Sequence, residues 1–213
     1  GHHRYETMLR YAKEAPGAVK AQAQNNLVCL TPFQSKGLII LPTHRLVQGL
    51  KGFSADKLKA SLATDFIVKA EPSLAALEKA VDRSKSFCFC LILPDSYHSL
   101  TLKASVKPEQ AVKEKRSKAY KGLDVSLLQA LVLEKVLGMT PASIAAQENL
   151  FFEKGADKTA KAVASGQAQA GFLIKATRMD QLKAVSDAKD VMPQKSTFFQ
   201  PKLITGAVLR TMA

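Results

Sequence analysis

The chain has 213 residues, 46% hydrophobic and 23% charged, a balance that supports a buried core and excludes a disordered or collagen-like polymer. Its longest apolar runs, such as Phe87–Leu93, are too short to span a bilayer, and no signal peptide pattern opens it, so a cytoplasmic protein without a membrane partner is expected. The net charge of +13 favours polyanions or phosphorylated small molecules as partners.

Helical spacing is predicted from Tyr5 to Ala15, ending at Pro16-Gly17. NNLVCLTPF (Asn25–Phe33) and KGLIILP (Lys36–Pro42) read as strands joined by a short loop. A helix over Ala55–Ala63 follows, with Ser54 as its N-cap. Asp65–Ala70 reads as a strand and Pro72–Val81 as a helix with proline in its first turn. SFCFCLILP and SLTLKA pair as an antiparallel hairpin across Asp95–His98. LDVSLLQALVLEKVLG (Leu123–Gly138) has the clearest helical pattern. Asp124 can cap it, Leu127, Leu128, Leu131 and Val132 share one face, and Gly138 can end it. NLFFE, a helix at Ala156–Ser165, a strand at Ala170–Ala176, a helix at Thr177–Ala188 and a final strand in LITGAVLRT, interrupted by Gly206, complete an alternating pattern. The expected fold is α/β (mixed α+β), a mixed sheet flanked by helices. Residues 1–106 are read as one α/β region, 107–122 as a charged linker or loop, and 123–213 as a C-terminal α/β region packing on the first.

Three cysteines make an odd count, so a disulfide framework is not expected. All three lie in apolar runs and read as small buried hydrophobes, and Cys88-x-Cys90 without nearby histidines does not make a metal site. The basic cluster KEKRSKAYK (Lys113–Lys121) has little aromatic interleaving and reads as a solvated face or loop before a polyanion site.

Three stretches carry candidate chemistry. GHHR at the start leads directly into a helix, whose first N–H groups lack intrahelical partners and whose dipole is positive at that end. Gly1 permits close backbone approach of a phosphate, His2 and His3 can donate hydrogen bonds, and Arg4 can add a bidentate contact. Taken alone, the same residues can equally be an expression-tag remnant. In LPTHRLV, Thr43, His44 and Arg45 follow an apolar strand, where α/β proteins hold ligands; the alternative is a surface turn. In MPQKSTFFQPK, Lys195, Ser196, Thr197 and Lys202 supply donors for an anion, while Phe198 and Phe199 are expected to pack in the core. The segment lacks the glycines of a Walker A loop.

Together and in this order, GHHRYET, GLIILPTHRLV, LDVSLL and MPQKSTFFQPK resemble the domain-of-unknown-function family numbered one thousand and fifteen. The resemblance implies a ParB-like superfamily that also includes sulfiredoxin and free serine kinases. In that family GHHRYET falls near the middle, so the chain is expected to be the C-terminal portion of a larger ParB-like protein. Its missing N-terminal half then becomes a partner. By the same resemblance Gly1, His2, His3 and Arg4 form a phosphate-binding turn for a nucleotide, and the general base lies upstream, so no catalytic residue is named. STFFQPK departs from the family's STYFYPK at Phe198 and Gln200 but keeps both lysines and the proline.

The implied activity is a nucleotide-dependent phosphotransferase acting on a small hydroxylated metabolite, with free serine the leading substrate. ADP or ATP, or else CTP, serves with Mg²⁺, and the chain alone is expected to be inactive. The alternative is a ParB-like nucleotide- or DNA-binding protein without kinase activity. The charge favours it, but the absence of a helix-turn-helix pattern sets nucleic acid behind small-molecule substrates.

Overall fold

A computed structural model describes residues 2–202, 204, 206 and 209–211, with the side chain of residue 2 excepted. The chain divides into two compact units, residues 1–39 with 200–213, and residues 40–199.

In the smaller unit, α1 (His2–Glu14) ends before Pro16, as the missing proline N–H and the residue before it dictate. A 3₁₀ turn at Gly17–Val19 leads into α2 (Lys20–Ala23). Ala12, Ala15 and Ala23 are buried, and Gln24 Nε2 donates to Ala12 O at 3.3 Å. Arg210 Nη1 donates to the carbonyls of Gln22 and Asn25 at 2.7 and 3.1 Å. Asn25–Phe33, expected as a strand, is irregular. Among the described residues no strand lies beside it, so its apolar side chains have no pleated surface to pack on, and Leu27, Val28, Cys29 and Leu30 are exposed. Cys29 is therefore not the buried hydrophobe expected. Of the expected strand in LITGAVLRT, residues 204, 206 and 209–211 are described and none is in a strand, and the others lie outside the described residues.

β1 (Ile39–Leu41) and β8 (Phe198–Gln200) form a two-stranded sheet. The larger unit is built on six antiparallel strands. In chain order these are β2 (His44–Val47), β3 (Phe66–Glu71), β4 (Cys88–Leu93), β5 (Ser96–Leu102), β6 (Leu150–Glu153) and β7 (Ala170–Leu173). Their spatial order is β3-β5-β4-β7-β2-β6. The expected organisation, a sheet flanked by helices in an α+β fold, is present. β4 is central and every residue in it is buried, which accounts for the unbroken apolar run CFCLIL. Its alternate side chains enter two cores. Cys88, Cys90 and Ile92 pack with Leu77, Val81 and Val163, and Phe89, Leu91 and Leu93 pack with Leu58, Leu62, Leu127 and Leu128.

The first face is covered by α4 (Leu74–Arg83) and α9 (Ala156–Ala164). The other carries α3 (Ala55–Leu62), with Ser54 Oγ accepting from Lys57 N, and α7 (Asp124–Leu127) running into a π-helical stretch at Leu128–Glu134. Asp124 stands inside the first helical turn, with Leu123 at the cap position. The stretch 107–122 carries α5 (Pro108–Ala111) and α6 (Lys118–Lys121) and sends Val112 and Tyr120 into the core. The remaining helices are α8 (Pro141–Ala146) and α10 (Met179–Asp187). No helix among the described residues is long and apolar enough to cross a membrane.

Candidate functional site

Antiparallel pairing puts the start of one strand beside the ends of its neighbours. His44, first in β2, lies opposite Glu153 at the end of β6, and Arg45 lies opposite Phe172 near the end of β7. Lys154 follows β6, and Lys175 follows β7 after Ile174. His44, Lys154 and Lys175 therefore collect at one end of the sheet. On α4, Glu78 and Asp82 are four residues apart and share a helix face. His44, Glu78, Asp82, Cys90, Lys154 and Lys175 line a cleft of about 400 Å³, with Val81 and Leu173 giving it an apolar wall.

His44 is only 5% exposed. Its Nδ1 accepts from the Ile174 backbone N–H at 3.4 Å, which leaves the ring proton of the neutral imidazole on Nε2. Burial, then the neighbouring Arg45 charge, lowers its pKa from 6.5 to about 4, against an opposing pull from Glu153. The ring is an uncharged hydrogen-bond donor at neutral pH. Cys90 is held as a thiol, because burial and the charges of Glu78 and Asp82 among others raise its pKa. Lys175 Nζ donates to Ser84 O at 2.8 Å, and Lys154 Nζ stands 3.9 Å from the centre of the Phe198 ring.

Thr43 and Arg45, 8% and 3% exposed, flank His44. Leu46 and Val47 continue the apolar pattern, so the residues expected at or just after a strand end form a strand of their own between β6 and β7. The Arg45 guanidinium donates to the carbonyls of Thr43 and Lys195, the latter at 3.5 Å, and stacks 5.2 Å from the Phe152 ring centre. Burial lowers its pKa to about 10, so it stays charged at neutral pH. Arg45 thus joins two of the three stretches singled out in the sequence.

Within MPQKSTFFQPK, Lys195 has a positive φ of 54° and an exposed side chain. Ser196 is buried, its hydroxyl donating to Pro193 O at 2.6 Å and its carbonyl accepting from Thr177 Oγ1 at 2.9 Å. Thr197, Phe198 and Phe199 are half-buried. Of the residues proposed from sequence, His44 lines the cleft. Gly1, His2, His3, Arg4 and Lys202 belong to the smaller unit. Gly1 lies outside the described residues, whereas His3 and Arg4 are exposed in the first turn of α1, with His3 Nδ1 3.9 Å from Glu6. Lys202 is exposed too.

Glu78, Asp82, Lys154 and Lys175 were not singled out from sequence. The i,i+4 carboxylates and the lysines just past two apolar strands were the available signals. Among the described residues no group of three His, Cys, Asp or Glu side chains is placed to hold a metal ion.

No curated protein matches the chain. Among solved structures, a free serine kinase mutant in complex with AMP is similar at TM-score 0.47 and 13% identity, over 79% of this chain and 56% of that one. A free serine kinase mutant in complex with ADP gives 0.46 and 12%, over 79% and 56%. A conserved hypothetical protein from Pyrococcus furiosus gives 0.48 and 16%, over 79% and 59%. The chain thus spans less than two thirds of each of those chains. The profile of the family described as "Protein of unknown function (DUF1015)" matches residues 1–126, more than half of the sequence. The chain belongs to that family.

Proposed function

We propose that this chain is part of a nucleotide-dependent phosphotransferase of a small hydroxylated metabolite, with free serine the leading acceptor. The observation that carries the reading is that α1, a 13-residue helix with no acidic side chain in its first turn, opens on His2, His3 and Arg4. In this reading the positive end of the helix dipole favours a phosphate there, and Arg4 is the guanidinium assigned to it. Gly1, His2 and His3 complete the turn. Lys195, Ser196, Thr197 and Lys202, with Thr43 and Arg45, are assigned supporting contacts to phosphate or substrate.

ADP, ATP or CTP is the phosphoryl source in this reading. Mg²⁺ is assigned to bridge the nucleotide phosphates. Catalysis then rests on positioning and charge neutralisation, with the general base on sequence preceding this chain in a larger ParB-like protein. The cytoplasm is the proposed setting. A nucleic-acid reading has less to stand on: Arg116 pairs with Asp190 at 2.9 Å and Lys118 with Glu109 at 3.4 Å, partly neutralising the basic cluster.

Titration calorimetry tests the nucleotide site. Binding of ADP, ATP or CTP with Mg²⁺ is expected, and Arg4→Ala should weaken it about tenfold, the scale of one charge-assisted contact. Arg4 is exposed, so the variant should keep its circular dichroism spectrum. Heat from none of the three nucleotides rules the reading out.

A further inference from the structure

The cleft at the end of the larger unit's sheet has a charge pattern that selects its ligand. Glu78 and Asp82 bring two carboxylates, and Lys154 and Lys175 bring two ammonium groups. Among the described residues, neither carboxylate forms an ion pair with either lysine. The lysines are instead occupied by the Ser84 carbonyl and the Phe198 ring. His44 points to a ligand independently of these charges. It is 95% buried by its 5% exposure, it lines the cleft, and its Nε2 has no hydrogen-bond partner among the described residues. The atom itself is not closed off from solvent, so Nε2–H opens on the cleft, where a ligand or water supplies its acceptor.

A simple anion entering here meets His44 and the lysines but is repelled by both carboxylates. A simple cation meets the reverse. A molecule carrying both charges satisfies each group at once, and discrimination against singly charged molecules follows from the unmatched half of the cleft. The volume of about 400 Å³ lies at the lower end of small-molecule sites, which sets the ligand's size.

We propose that this cleft binds a small zwitterion, its acid group on His44 Nε2–H and the lysines and its primary ammonium on Glu78 and Asp82. This deepens the phosphotransferase reading, on which its link to catalysis rests, by giving the acceptor residues of its own, none of which lies in the GHHR turn.

The test uses ¹⁵N-labelled protein without nucleotide. L-Alanine and O-phosphoethanolamine are the zwitterionic probes, and ethylamine and propionate keep one charge each. Alanine has no hydroxyl to accept a phosphoryl group, so its binding is independent of any transfer activity. Saturable shifts are expected at the amides of Asp82, Ile174 and Lys175 with at least one zwitterion, and the stronger of the two identifies the acid group as carboxylate or phosphate. Ethylamine and propionate should bind at least about tenfold more weakly. The double variant E78Q/D82N, altered only at exposed positions, should lose at least tenfold in zwitterion affinity while the rest of its spectrum is unchanged. No saturable shift with either zwitterion overturns the proposal, as does propionate binding as tightly as alanine, or full zwitterion affinity in E78Q/D82N. Phosphoryl transfer without zwitterion binding here would sink this proposal alone, and zwitterion binding without nucleotide binding would sink only the phosphotransferase reading.

Discussion

Gly171→Ala is expected to destabilise the larger unit by about 2 kcal/mol, the scale of overpacking a closed core. Gly171 sits in β7 between Leu46 of β2 and Ile92 of β4, under α9. A β-carbon there would stand 2.7 Å from Thr159 Cγ2 and 3.3 Å from Val163 Cγ2. Neither neighbour yields easily, since both are fully buried and Thr159 Oγ1 is tied to Gly155 O at 2.9 Å. The backbone is not the obstacle, because Gly171 is not among the glycines with positive φ. In an open strand the same change would raise stability by roughly 0.5–1 kcal/mol through the unfolded chain, so the steric effect must reverse the sign. Chemical denaturation measures it. Thr159→Ser removes the clashing methyl and keeps the hydroxyl, so G171A/T159S should recover about 1 kcal/mol relative to additivity. A Gly171→Ala protein as stable as the parent would contradict the packing of α9 on β7.

Acid should weaken the fold through His44 before most carboxylates protonate. The folded ring takes a proton near pH 4, whereas the unfolded chain takes it near the ordinary 6.5. Between these values the unfolded state binds more protons, so stability falls as pH falls. Above pH 6.5 the contribution is complete, and by pH 4 it is largely lost. The loss integrates to about 3 kcal/mol. His98, hydrogen-bonded to Ser96 Oγ at 3.0 Å, has its pKa lowered by burial and by Lys59 and adds to the same trend. In His44→Gln the His98 part remains and the His44 part disappears. Urea unfolding from pH 7 to 4 should therefore show a shallower decline in the variant, whatever its absolute stability at pH 7. Parallel curves would mean that the ring is not buried uncharged.

Much of the sheet unit was legible in local pattern. The Ser54 cap, the CFCLIL run and the helix over Ala156–Ala164 each follow from spacing and flanking residues alone; the hairpin onto β5 does too, but its turn is Pro94-Asp95, and Ser96–His98, expected in the connection, pair as strand. Asn25–Phe33 shows the limit, because its apolar residues fit a strand but a strand exists only beside another backbone. The segment at Leu128–Glu134 kept its predicted buried face while adopting π-helical hydrogen bonding, which side-chain periodicity does not encode. His44 was found in the sequence because polar residues after GLIIL stand out. Its cleft partners come from α4 and from the residues after β6 and β7, elements that meet only through pairings between distant parts of the chain. No single stretch holds that information.

In the proposed reading the start of α1 holds the phosphates of a nucleotide. Backbone amide spectra of the labelled protein during titration with ADP and Mg²⁺ test it directly. Saturable shifts are expected, concentrated at His3, Arg4 and Tyr5 and abolished or much weakened in Arg4→Ala. Amides at 3–5 that stay fixed under saturating nucleotide, or shifts confined to other parts of the chain, would contradict it.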